Sequence, residues 1–106
     1  METKYIGSIA VDSGQAMLGD PCYLDDWKPW NSETDKFEEH VNKVGEYGYL
    51  GACNATLTNN YGELGFGSAV VFNTGWGDGS YPVYAKLNDD GMVMEITVKF
   101  MDEENE

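Results

Sequence analysis

Arginine is absent from this chain of 106 residues: six lysines carry all its positive side-chain charge, against 19 acids, for a formal net charge of −13. Arginine is the side chain that grips phosphates and carboxylates with two parallel hydrogen bonds. Its absence and the strong negative charge predict a chain that repels DNA, RNA and anionic membranes. Cysteine is scarce too. Cys22 and Cys53 are too few for a disulfide framework, and both are expected as buried free thiols. A single histidine, His40, leaves no hydrolytic triad and no paired zinc ligands to be spelled out. Cys22 with His40 is the one nucleophile–base pair on offer, and a cysteine after Pro21 in a short extended segment reads instead as structural. No apolar run approaches a membrane span, and Met1-Glu2-Thr3-Lys4 leads straight into an amphipathic segment, so no secretory leader and a cytoplasmic location are expected.

What is present is sufficient for a core. Hydrophobic residues make up 42% and aromatics 13%, which argues against disorder. One β-rich domain over 1–100 is expected, followed by an acidic disordered tail over 101–106. Thirteen glycines stand beside aromatics and turn residues, a composition that suits tight turns in an all-β or α+β domain. Lys4 to Val11 alternates as a strand, and Gln15 to Leu18 reads as its hairpin partner. Ser32-Glu33-Thr34-Asp35 resembles a capping box, with Phe37, Val41 and Val44 at helical spacing and Gly45 where a terminating glycine belongs, so a helix is expected over 33–44. Tyr47 to Thr58 alternates and reads as a strand, as does Ser68 to Phe72, while Asn59-Asn60-Tyr61-Gly62 reads as a turn. Tyr81 to Leu87 and Met92 to Phe100 form the clearest hairpin, joined by Asn88-Asp89-Asp90-Gly91. The expected class is α+β: about six strands in an antiparallel sheet or small barrel, with one helix packed on a face.

Two segments stand out chemically. One runs from Val11 to Tyr23 and ends in Gly19-Asp20-Pro21-Cys22-Tyr23, and the other is Gly75-Trp76-Gly77-Asp78-Gly79-Ser80-Tyr81-Pro82-Val83-Tyr84. They share a faint Gly-Asp-x-x-Tyr echo. Glycines around Trp76 and Asp78 let backbone amides converge as an anion-binding nest, Ser80 adds a hydroxyl, and Trp76, Tyr81 and Tyr84 offer flat faces for stacking. The competing structural reading is a glycine turn with its aromatics in the core. Asp20 and Asp78, if neighbours, could share a proton or a divalent cation; otherwise each caps its own turn. Trp27, Pro29 and Trp30 form an aromatic loop that either anchors a partner or staples the start of the helix.

With these residues the chain resembles small phage and prophage proteins of unassigned function that carry Gly-Asp-Pro-Cys-Tyr and Gly-Asp-Gly-Ser-Tyr-Pro-x-Tyr motifs, and the second motif is similar to one in the bacterial DUF4241 family. The resemblance implies a phage origin and a role against host defences. The expected function is then capture of a nucleotide-derived immune signal by Asp20, Tyr23, Trp76, Gly77, Asp78, Gly79, Ser80, Tyr81 and Tyr84, within one chain or across a homo-oligomer interface. Trp27 and Trp30 are the candidate partner-binding residues. The acidity favours a second class, an inhibitor or nucleic-acid mimic that binds a host defence protein. A small phosphodiesterase using Asp20 and Asp78 is the third, although no motif requires catalysis. No cofactor and no resident metal are implied.

Overall fold

The structure, a computed structural model, describes residues 2–101. The predicted acidic tail therefore lies outside the described residues, apart from Met101. Six strands, one α-helix and two short 3-10 helices are described: β1 (Glu2–Val11), β2 (Gln15–Gly19), 3-10 helices at Pro21–Asp26 and Phe37–Asn42, α1 (Tyr49–Asn59), β3 (Tyr61–Leu64), β4 (Ala69–Asn73), β5 (Gly79–Leu87) and β6 (Val93–Val98). The α+β class holds, with the strands divided between two antiparallel three-stranded sheets ordered β1-β5-β6 and β2-β4-β3. The chain forms two compact units, one from Met1–Gly14 with Thr74–Glu106, the other from Gln15–Asn73. No helix among the described residues is long and apolar enough to cross a membrane.

The Gln15–Asn73 unit corrects three expectations. First, the helix lies at Tyr49–Asn59 rather than 33–44. Tyr49, Cys53 and Leu57 stand four apart, a spacing that fits both a strand face and a helix face. What decides is burial: Leu50, Gly51, Ala52, Cys53 and Ala55 are all buried, nearly around the helix, and four of the five are small. Asn60 ends α1 in the left-handed conformation, at φ 72°. Second, the capping-box segment forms local turns instead. Asn31 Oδ1 accepts from Glu33 N at 2.9 Å, and Asp35 Oδ2 accepts from Asn31 N at 2.7 Å. Such side-chain bonds compete with helix, and Phe37, Val41 and Val44 remain exposed, so no core rewards a longer helix there. Third, β2 pairs with β4, not with β1.

The core of this unit joins Leu64, Ala69 and Val71 of the sheet to Ala52 and Ala55 of α1, with Tyr47 and the partly buried Trp27 beside them. Trp27 meets Tyr47 edge to face at 5.1 Å. Gly62 permits the close approach of β3 to α1: a Cβ there would stand 2.8 Å from that of Ala55. Cys53 is buried as expected, its sulfur within 3.7 Å of the Gln15 amide nitrogen.

In the other unit, β5 is the central strand. Tyr5 pairs with Tyr84 and Tyr84 with Thr97, so these three side chains share a face with Lys86 and Glu95. The opposite face carries the buried Tyr81 and Ala85, and Phe100 meets Tyr81 edge to face at 5.1 Å. The expected hairpin of β5 and β6 is present, but its second strand does not alternate throughout. Leu87 pairs with Val93 and Lys86 with Glu95, leaving Met94 as the extra residue of a bulge.

Candidate functional site

The loop before β5 is tied from inside. Thr74, only 2% exposed, donates its hydroxyl to the Gly77 carbonyl at 2.7 Å. The Tyr81 hydroxyl donates to that same carbonyl at 2.7 Å. The Gly77 amide in turn donates to Thr74 O, closing a tight turn. That amide is therefore engaged and does not face an anion. Gly79 and Ser80 belong to β5, paired with Val11 and Ala10. The expected nest is thus a hydrogen-bonded turn that holds Trp76 at its tip, 56% exposed.

Trp76 and Tyr84 both line a cavity of about 560 Å³ on the Tyr84 side of the sheet, with Thr3, Pro82, Thr97, Lys99 and Met101. The volume is within the usual range for small-molecule sites, roughly 300–1,000 Å³. Tyr84 is braced edge to face by Tyr5 at 5.9 Å. Lys99 supplies the ammonium of the lining, and no carboxylate is among the lining residues. The arrangement offers flat rings, three hydroxyls (Thr3, Tyr84 and Thr97) and one positive charge, which suits a planar anion. Among the residues missed in the sequence, the charged one is Lys99. Its signal was the hairpin register, which sets Thr97 beside Tyr84 and so carries Lys99 to the same face.

The other candidates lie elsewhere. Asp78 is exposed on the Trp76 loop, and Tyr81 is buried with its hydroxyl engaged. Asp20 and Tyr23 belong to the Gln15–Asn73 unit. Asp20 caps the 3-10 helix Pro21–Asp26, accepting from Cys22 N at 2.9 Å. The Gly-Asp-x-x-Tyr echo is therefore a helix cap in one copy and a loop leading into a strand in the other.

Trp30 is exposed and touches Tyr49 edge to face at 5.9 Å, while Trp27 is engaged with the core. A second cavity, of about 390 Å³, borders Trp27 with Lys28, Lys43, Asp35 and Glu46 among its walls. Its two lysines are matched by two acids, and Lys28 lies 3.8 Å from Glu46, so it carries no surplus charge for an anion.

Cys22 is exposed, not buried, because Pro21–Asp26 is a capped 3-10 helix rather than a strand. Its thiol is held above the ordinary value, first by partial desolvation and then by the Asp20 carboxylate, which accepts its hydrogen bond and repels the thiolate; Asp26 adds repulsion. A raised value means less thiolate at any given pH, hence a poor nucleophile. Asp20→Asn keeps the cap but removes the charge. Iodoacetamide labelling of Cys22 at pH 8, followed by mass spectrometry, is expected to run severalfold faster in that variant. An unchanged rate would clear the carboxylate of this role. Among the described residues, no three His, Cys, Asp or Glu side chains gather as a metal site needs.

No curated protein and no solved structure matches this chain. The model of one family does, over residues 1–98, well beyond the Gly-Asp-Gly-Ser-Tyr-Pro segment and across both units. The chain is a member of the family described as protein of unknown function (DUF4241).

Proposed function

We propose that this protein is a binding protein that captures a small planar anion of the nucleotide type between Trp76 and Tyr84, without transforming it. The observation that carries this reading is the single cavity shared by two aromatic rings and the ammonium of Lys99. One ammonium in a chain of net charge −13 suits a ligand of low charge and disfavours a polyphosphate. The biological role that fits is sequestration of a nucleotide-derived immune signal in the cytoplasm of a bacterial host, by a protein of phage or prophage origin. That role rests on the motif resemblance.

The test is calorimetry and thermal shift with adenosine, adenosine monophosphate and cyclic mono- and dinucleotides. Stacking on one aromatic face contributes about 1–3 kcal/mol, so Trp76→Ala should weaken binding by about 5- to 150-fold. Lys99→Gln should weaken the phosphorylated ligands and leave adenosine unchanged. Ligand recovered intact after denaturation supports capture, and ligand recovered cleaved points to a hydrolase. The excess of 19 acids over six lysines favours a second reading, an acidic inhibitor of a host protein. No stabilisation by any of these compounds, together with salt-sensitive capture of a basic host protein, would replace the first reading by the second.

A further inference from the structure

We propose that the outer edge of β6 pairs with β6 of a second copy of this chain, antiparallel about a two-fold axis through Thr97. This inference is independent of the ligand reading. β6 is an edge strand of the β1-β5-β6 sheet. The opposite edge, β1, is interrupted near its middle: the register shifts between Tyr5 and Gly7, leaving Ile6 as an extra residue. A bulge of this kind protects an edge from pairing. β6 has its bulge at Met94 and is regular from Glu95 to Val98. It contains no proline, and Val93, Met94 and Ile96 are exposed, Ile96 by 44%.

The argument for a second copy is the charge pattern. A two-fold axis perpendicular to a sheet brings like-facing residues opposite one another, and residue i meets j wherever j meets i. With the axis through Thr97, Glu95 stands opposite Lys99 of the copy, and Ile96 opposite Val98. Moving the axis to Ile96 sets Glu95 against Thr97, and moving it to Val98 sets Glu95 against Met101. Of these, only the Thr97 axis joins opposite charges, and it does so twice. Within its own sheet Glu95 already lies 3.5 Å from Lys86. In the dimer each Glu95 stands between that lysine and Lys99 of the copy. Two ammoniums then flank each carboxylate, so the strip stays positive on balance and the cavity beside Lys99 keeps a cationic wall.

Sedimentation velocity of the intact chain across the micromolar range tests this, at about 0.15 M salt, where the Debye length of roughly 8 Å screens the general repulsion between acidic copies. The wild-type chain should show reversible monomer–dimer exchange. Lys99→Glu faces Glu95 with a like charge at two symmetric places and should weaken the dimer about tenfold or more. It leaves the Lys86–Glu95 pair intact, and circular dichroism melts confirm that each variant folds. Glu95→Lys should weaken the dimer as well, and the double exchange, Glu95→Lys with Lys99→Glu, should restore it. A wild-type chain that stays monomeric throughout overturns the proposal. So does a dimer that Lys99→Glu leaves unchanged, or a loss that the double exchange fails to reverse.

Discussion

Gly51→Ala is expected to destabilise the Gln15–Asn73 unit by about 3 kcal/mol or more, although alanine is the better helix former by about 1 kcal/mol. Gly51 lies in the first turn of α1, and a Cβ there would fall on the carbonyl oxygen of Glu46, with the Glu46 carbonyl carbon only 2.7 Å away. The obstacle is backbone, so no side chain can rotate aside. Relief requires the start of α1 to move away from the Lys43–Glu46 turn, yet its neighbours Leu50 and Ala52 are both buried. Total stabilities of small domains are about 5–15 kcal/mol, so the variant should lose much of its margin. Urea denaturation followed by far-ultraviolet circular dichroism measures this. A variant at least as stable as the wild type would mean that helix propensity outweighs the clash and that the backbone at Glu46 gives way to a Cβ. Gly51→Ser should fail in the same way, because the obstruction lies at Cβ.

The second large effect is expected at Leu64. This residue is 0% exposed, at the end of β3 opposite Ala69, and belongs to the cluster with Tyr47, Ala52, Ala55 and Val71. Its neighbours include several small side chains that cannot reach across a void. Leu64→Ala should therefore cost about 2–5 kcal/mol, the transfer free energy of the lost methyl groups plus the cavity left behind. For a chain of this length that lowers the melting temperature by roughly 10 °C or more. Leu57→Ala is the internal comparison. Leu57 is of the same type but 62% exposed, so its loss should be within about 0.5–1 kcal/mol. Equal shifts at the two positions would show that Leu64 does not carry the core.

The contrast between these leucines shows what a linear pattern leaves open. Leu57 stands between Thr56 and Thr58 and Leu64 between Glu63 and Gly65, and nothing in these immediate neighbours marks the buried one. The same ambiguity misplaced the helix. Phe37, Val41 and Val44 show helical spacing more clearly than the small-residue run Gly51, Ala52, Cys53 and Ala55, yet the first set remains exposed and the second is buried. Small residues carry a weak hydrophobic signal, but they allow a helix to approach a sheet closely, and that advantage exists only once the sheet is present. In the candidate site, Trp76 and Tyr84 stood out as aromatics in a glycine-rich segment. Thr3, Lys99 and Met101 did not, because they come from distant parts of the chain and meet only through the β1-β5-β6 register.

The sequence by itself determined the α+β class, the final hairpin with its Asn88–Gly91 turn, and a net charge of −13 without arginine. These depend on composition, period-two alternation and local turn chemistry, which act between residues close in the chain. Tertiary structure decided which apolar segment becomes the helix, that β2 joins β4 rather than β1, and that Lys99 stands beside Trp76 and Tyr84. Those outcomes depend on which surfaces can be buried together and on how strands distant in sequence align, free energies that no short stretch of residues contains.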